Sequence, residues 1–226
     1  MTETEKFVME AITLINDSIT VDVCFDTKIV MNRLVTISAV GVLVKDLIAL
    51  PVKKRPDNFM KILKELDGKI GELYNKMESL FNELKSFKVA DEFYDEIGSQ
   101  ALSLFCCMKV IVSDPLPDNL KPFRAEYQRN PPLRLAREFM EKLQKDETNP
   151  LKLARDADKL KKLNTFKKLR SIIDGVLALF FVLETYLNGM FGNKDMAGPN
   201  KLAKEIKKMT DQIDCWNPSY FNDTPV

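Results

Sequence analysis

Apolar positions in one long stretch of the chain alternate in steps of four and three residues. A helix places such a series on one face as a coiled-coil-like seam, whereas a strand cannot. The pattern therefore predicts a long helix that buries a stripe against other helices, over residues 59–87. The seam consists of Phe59, Leu63, Leu66, Ile70, Leu73, Met77, Leu80, Leu84 and Phe87.

The ends and the interior of the seam helix carry their own signals. Asp57 or Asn58 is suited to cap its start. Gly68 and Gly71 lie in its interior, where each costs up to about 1 kcal/mol relative to alanine. Such a cost is usually accepted where two backbones approach closely, so we expect a close approach at these glycines.

The region before the seam, residues 3–50, is predicted to form one bent helix or two. Residues 29–50 are apolar on most faces, which is typical of a helix surrounded by neighbours. Residues 21–25 are partly β-branched and ambiguous, and prolines at positions 51 and 56 end the region. Its first stripe consists of Phe7, Ile12, Ile15 and Ile19.

Prolines and stripe positions divide the second half of the chain. Further helices are predicted over about 91–112 and about 132–146, with a break at 113–122. Within 151–191 the apolar stripe turns round the axis at Asn164-Thr165, which predicts a kink or a fresh helix start. A last helix carries Leu202, Ile206, Met209 and Ile213.

These patterns predict an all-α fold: a single bundle of about six helices, several of them long, over residues 1–216. Residues 217–226 are expected to form a frayed tail. Trp216 could anchor the last helix or lie at an interface, and the sequence does not decide between them.

Composition predicts a reducing, cytoplasmic location, with the periphery of a membrane as the alternative. The chain is 45% hydrophobic and 30% charged, as globular proteins are. No stretch contains the roughly 18 to 20 uncharged residues that span a bilayer. The first residues are polar and acidic, unlike a secretory signal. Four cysteines, at positions 24, 106, 107 and 215, form no CxxC pair, so we expect buried free thiols.

The chain has no histidine, and this removes most familiar active sites. Ser-His-Asp and Cys-His arrangements, histidine-ligated zinc and di-iron bundles of the Glu-x-x-His type are impossible. There is no P-loop, GxGxxG or nucleophile elbow. The carboxylates at positions 91, 92, 95 and 96 are expected to form an exposed acidic corner of a helix. We expect no catalysis, no cofactor and no metal.

Charge is concentrated in two segments. Residues 65–96 hold nine acidic and four basic side chains, and residues 150–170 hold eight basic and two acidic ones. The basic segment could be a solvated face, could pair with acidic neighbours inside the bundle, or could bind an acidic protein or anionic lipid. Nucleic acid is disfavoured because no aromatics interleave with the lysines. The candidate anionic-partner surface consists of Lys152, Arg155, Lys159, Lys162, Lys167 and Arg170.

One segment resembles known membrane-active bundles. Lys161-Lys-Leu-Asn-Thr-Phe-Lys-Lys-Leu-Arg170, followed by a strongly apolar helix, resembles late helices of the HeLo-like domains of cell-death proteins. With the long bundle helices, it is also similar to α-helical pore-forming toxins of the cytolysin A type. The similarity covers about thirty residues. The apolar start of HeLo domains is missing, because this chain opens with Thr2-Glu-Thr-Glu5, and no functional residue is carried over.

The sequence favours a non-enzymatic helical bundle that acts by protein–protein interaction, as a scaffold, adaptor or regulatory module. The partner would be another protein or a second copy of the chain, and the seam is expected to pair within one chain. The alternative is an amphitropic or membrane-permeabilising bundle, which would bring an apolar helix to an anionic membrane. The candidate membrane or interface helix carries Val176, Phe180, Leu183 and Leu187.

Overall fold

The structure is a computed structural model that describes residues 27–51, 59–86, 93–157, 162–192 and 195–222. Every regular element in these ranges is helical and none is a strand, so the predicted all-α bundle is confirmed. The α-helices are α1 (Thr27–Ala49), α2 (Phe59–Lys85), α3 (Ser99–Ser113), α4 (Leu120–Arg129), α5 (Pro132–Gln144), α6 (Pro150–Ala157), α7 (Leu163–Phe191) and α8 (Ala197–Asn222).

Several predictions fall outside the described residues and stay predictions. They concern the first stripe (Phe7, Ile12, Ile15 and Ile19), residues 21–25, the caps Asp57 and Asn58, Asp91 and Glu92, Phe87, Lys159 and Cys24.

The centre of the bundle is the second half of α7. Every residue from Val176 to Met190 is buried. Helices α1, α2, α5, α6 and α8 all pack against α7. Because α7 is enclosed on all sides, it has no polar face over this half, as is expected of a core helix.

The predicted seam on α2 is buried within one chain. Leu73, in its middle, is 4% exposed, and Leu63, Leu66, Ile70, Met77, Leu80 and Leu84 are buried with it. Helices α3 and α7 cover this face. The expectation that the seam pairs inside the chain is therefore confirmed for these seven residues.

Glycines allow close approach of backbones, but not at the positions that the sequence suggested. Nothing lies within 4 Å of a side chain built on Gly68, and Gly71 meets only the end of Lys109 at 3.9 Å. The expectation of a close approach at these two glycines was wrong. The close approach is between α1 and α7, at Gly41 and Gly189, where a Cβ would overlap the backbone of the other helix.

Helices α5, α6 and α7 begin at or within one or two residues of the positions that the sequence predicted. Helix α5 begins at Pro132 after Pro131, and α6 begins at Pro150 after Asn149. The Asn149 side chain accepts hydrogen bonds from the backbone N–H groups of Leu151 (2.9 Å) and Lys152 (3.3 Å), which caps α6. Helix α7 starts afresh at Leu163 after an extended Lys162, one residue before the predicted pair Asn164-Thr165.

Two features between α2 and α5 are absent from the sequence prediction. The helix predicted over 91–112 contains a π-helical turn, Tyr94–Gly98, before α3 begins at Ser99. The predicted break at 113–122 is shorter than expected, because Pro117–Asn119 form a 3₁₀ turn and α4 follows. Pro122 lies in the first turn of α4, where its missing N–H would have no partner within the helix.

Two burial expectations need correction. Helix α1 is not covered on all sides among the described residues, because Val35 is 64% exposed. The described cysteines are free thiols, as predicted, but Cys106 and Cys215 are exposed and Cys107 is only partly buried. Each of the exposed thiols faces away from the stripe that its helix buries.

Among the residues that the structure describes, two segments are long and apolar enough to cross a membrane by length and composition alone, Asp95–Ser113 and Leu163–Phe191. Each contains an 18-residue stretch with no more than two charged residues, whereas the sequence contains no fully uncharged run of that length. The enclosed core helix of a bundle passes the same test, and α7 is such a helix.

Candidate functional site

The basic segment lies where α6, the start of α7 and the end of α8 meet. Helix α6 packs on α7 through buried Leu151 and Ala154. Lys152 and Arg155 are one helical turn apart, so they lie on the same side of α6. Trp216, near the end of α8, packs partly buried against the core beside them.

These residues surround a hollow with a volume of about 250 Å³. Two of its lining residues, Leu151 and Phe166, belong to the core, and Trp216 adds a third apolar surface. Lys152 and Arg155 bring two positive charges to the same hollow. The described residues that line it are Asp146, Asn149, Leu151, Lys152, Arg155, Phe166 and Trp216. The arrangement offers aromatic surface and cations side by side.

The cations of the hollow pair with exposed carboxylates. Lys152 Nζ lies 2.7 Å from Asp146 Oδ2, and Arg155 Nε lies 3.2 Å from Asp156 Oδ1. The side chain of Asp146 is 80% exposed. Ion pairs of this kind contribute at most about 1 kcal/mol to stability.

The other predicted basic residues are placed differently. Lys162 and Lys167 are exposed at the start of α7. Arg170 is mostly buried and joins two helices, because it binds Asp174 of α7 (2.7 Å) and Asp214 of α8 (2.5 Å). Arg170 therefore holds the bundle together. Of the five candidate residues that the structure describes, Lys152 and Arg155 line the hollow and the other three do not.

In the described part of the chain, an ion pair links the basic segment to the acidic one. Lys168 Nζ lies 3.6 Å from Glu83 Oε2 of α2. The predicted pairing of oppositely charged segments inside the bundle is thus present at this position.

The candidate membrane or interface helix lies in the core. Val176, Phe180, Leu183 and Leu187 are all fully buried in α7. In this conformation none of them is available to a membrane or to another protein. A role at a membrane would require α7 to leave the bundle.

A buried carboxylate lies near the other end of α7, and the sequence analysis did not single it out. Glu184 is 4% exposed, and its Oε2 accepts a hydrogen bond from the backbone N–H of Leu133 (3.1 Å), in the first turn of α5. Burial raises the pKa of the Glu184 carboxyl, while the Leu133 N–H and the charge of Arg137 act in the opposite direction. The sequence signal was a single acidic residue inside an otherwise apolar run.

Glu184 also lies against the start of α8. A Cβ built on Gly198 would come 2.6 Å from Glu184 Oε1. Two helix N-termini, which carry partial positive charge, therefore converge on one carboxylate. The hydrogen bond from Leu133 joins α5 to the central helix α7.

Comparison with known proteins gives a family but no function. A family model described as "Protein of unknown function (DUF684)" matches residues 61–225. No curated protein and no solved structure matches the chain.

Proposed function

The chain belongs to this DUF684 family, and we propose that it is a non-enzymatic binding module whose basic end contacts another protein. The observation that carries the proposal is the placement of Lys152 and Arg155 beside partly exposed Trp216. Tryptophan and arginine are the residues most enriched among those that dominate the energy of protein interfaces. Exposed Lys162 and Lys167 extend the positive surface and would attract an acidic partner.

The rest of the bundle supports a binding role. The seam residues of α2 from Leu63 to Leu84 and the apolar residues of α7 from Val176 to Met190 are already covered within the chain, so a partner has to bind to the exterior. Self-association through the same end is a variant of this proposal, and light scattering over a range of concentrations separates the two.

Charge reversal tests the proposal. We expect the double variant Lys162→Glu/Lys167→Glu to lose a protein partner that the wild type captures from cells that make it. The matched control is Lys64→Glu/Lys76→Glu, which makes the same change of charge on the exposed face of α2. Cross-links from the captured protein should map to residues 150–170. Equal capture by both double variants would contradict the proposal.

The alternative function is membrane association. It is favoured by the length and apolar composition of α7, which would have to leave the bundle. Flotation with anionic vesicles at physiological salt tests it. Recovery of the protein with the vesicles, and loss of that recovery in Lys159→Glu/Lys162→Glu, would support the alternative. If the vesicles recruit no protein, the alternative fails.

A further inference from the structure

We propose that the outer face of α8 is a second interaction surface, which binds the anionic headgroups of a lipid bilayer while the bundle stays closed. This surface is separate from Lys162 and Lys167, so it does not depend on the proposed protein contact. It also leaves α7 in the core, unlike the membrane alternative described above.

Four exposed lysines follow one another on α8. They are Lys201, Lys204, Lys207 and Lys208. Lys201, Lys204 and Lys208 recur at helical spacing, so they lie on one side of the helix. The run covers roughly 10 Å along the helix axis. The outside of α8 therefore carries a short, straight stripe of positive charge.

The lysines of this stripe form no ion pair within the described part of the chain. Glu205 is the one acidic residue inside the run, and Arg137 of α5 binds both of its carboxylate oxygens (2.9 and 2.8 Å). Asp214, further along α8, pairs with Arg170 of α7. Exposed Asp211 lies about one turn beyond the run. The stripe thus keeps most of its positive charge unneutralised.

This arrangement of charges does not stabilise the helix. Like charges three or four residues apart on a helix repel one another, as Lys204 does with Lys201 and with Lys208. The solvated face of a helix usually alternates in sign, and α2 follows that pattern, because Lys69 pairs with Glu72 one turn away (3.0 Å). A run of one sign that costs stability favours a binding role over a solvated face.

An anionic bilayer fits this face better than a protein or a nucleic acid does. Clusters of four to eight basic residues on an amphipathic helix are typical of binding to acidic lipids. Protein interfaces instead have apolar or aromatic side chains at their centre and are depleted in lysine. None of the exposed large apolar side chains in the described part of the chain belongs to α8. Residues 201–208 also contain no aromatic side chain on which a base could stack.

Binding of this kind stays at the level of the headgroups. The apolar face of α8 is covered by the bundle and cannot enter the bilayer; it consists of Leu202, Ile206, Met209 and Ile213. Affinity therefore depends on charge alone. At physiological salt the Debye length of about 8 Å is close to the length of the stripe, so its charges act together, whereas about 1 M salt screens them.

Flotation with lipid vesicles tests the proposal on the full chain. The vesicles contain phosphatidylcholine, either alone or with about one-third phosphatidylserine. The test variant is Lys201→Gln/Lys204→Gln/Lys208→Gln, and the matched control is Lys61→Gln/Lys64→Gln/Lys76→Gln on the exposed side of α2. Both variants lose three positive charges. Circular dichroism shows that each is folded, and the α8 variant should melt at or above the wild-type temperature because repulsion is removed.

We expect the wild type to float with the phosphatidylserine vesicles at physiological salt, but not with phosphatidylcholine alone or at about 1 M salt. The α8 variant should partition about a hundredfold more weakly, because each lysine near an anionic surface strengthens binding about fivefold. The α2 variant should stay within about twofold of the wild type, because its charges lie on another helix.

Four results would overturn the inference. The first is no recovery of the wild type with the phosphatidylserine vesicles. The second is an equal loss in the α8 and α2 variants, which would mean that only net charge matters. The third is full recovery of the α8 variant. The fourth is binding to polyglutamate or duplex DNA that needs the α8 lysines, without recovery on vesicles, which would assign the face to a soluble partner. All four leave capture of a protein through Lys162 and Lys167 standing.

Discussion

Gly41 of α1 and Gly189 of α7 lie at one helix crossing, and each is pressed against the backbone of the other helix. A Cβ on Gly41 would overlap the carbonyl oxygen of Tyr186 and lie 2.9 Å from the amide nitrogen of Met190. A Cβ on Gly189 would overlap the carbonyl oxygen of Ser38. The absence of both side chains allows α1 to lie directly on the central helix.

Because of this crossing, replacing different glycines by alanine should change the free energy of unfolding in opposite directions. Gly41→Ala should destabilise the protein by about 2–3 kcal/mol, because rigid backbone atoms occupy the space that the methyl group needs. Gly68→Ala, in the interior of α2, should stabilise it by about 0.5–1 kcal/mol, because alanine is the better helix former and nothing lies near the new methyl group. Urea unfolding of both variants measures the two changes. Similar changes for both would show that α1 does not approach α7 as described.

Leu73 tests the buried seam. Leu73→Asp places a carboxylate among apolar neighbours at a position that is 4% exposed, so we expect it to unfold the protein. Asn75→Asp introduces the same side chain at an exposed position of the same helix and should leave the thermal transition almost unchanged. A cooperative transition at the wild-type temperature for Leu73→Asp would contradict the assignment of the seam to the core.

Glu184 makes the stability depend on pH. Because burial raises the pKa of its carboxyl, the folded chain binds this proton more tightly than the unfolded chain does. The resulting stabilisation is complete below the ordinary pKa of glutamate and is lost as the pH rises through the raised value. Glu184→Gln mimics the neutral form and has no such dependence.

We therefore expect the stability difference between Glu184→Gln and the wild type to shift in favour of the variant from pH 4 to pH 7. Chemical unfolding at both pH values measures this shift, and Glu72→Gln, at an exposed position of α2, provides the control. A shift in the opposite direction would mean that the two helix N-termini and Arg137 lower the pKa of the Glu184 carboxyl by more than burial raises it.

Arg137 and Glu205 connect α5 to α8 by two hydrogen bonds. Arg137 Nε and Nη2 lie 2.9 and 2.8 Å from the two carboxylate oxygens of Glu205. The pair is about one-third exposed, so we expect a coupling energy of about 0.5–1 kcal/mol. A double-mutant cycle with Arg137→Gln and Glu205→Gln measures it. Strictly additive effects of the two substitutions would show that the helices are not joined by this pair.

The parts of the fold that are determined by residues close together in the sequence could be predicted from the sequence. The α2 seam follows from its apolar spacing, and the start of α6 follows from Asn149 and Pro150. Each signal lies within a few residues, so no knowledge of the packing is needed. Helix α4 was missed because Phe123 is its only fully buried residue, which leaves almost no apolar stripe to detect.

The parts that depend on packing could not be predicted in this way. The spacing of glycines does not show which of them meets another backbone, so Gly68 was proposed and Gly189 was not. The candidate site combines residues from three helices, because Lys152, Phe166 and Trp216 come together only when α6, α7 and α8 pack. The sequence identified the basic residues of this site but left the role of Trp216 open.

Hydrogen exchange of the full chain with anionic vesicles present tests most directly whether the second half of α7 is a permanent core of the bundle. We predict that backbone amides of residues 176–190 exchange most slowly and that vesicles do not accelerate them. Fast exchange of residues 176–190, with or without vesicles, would contradict this account.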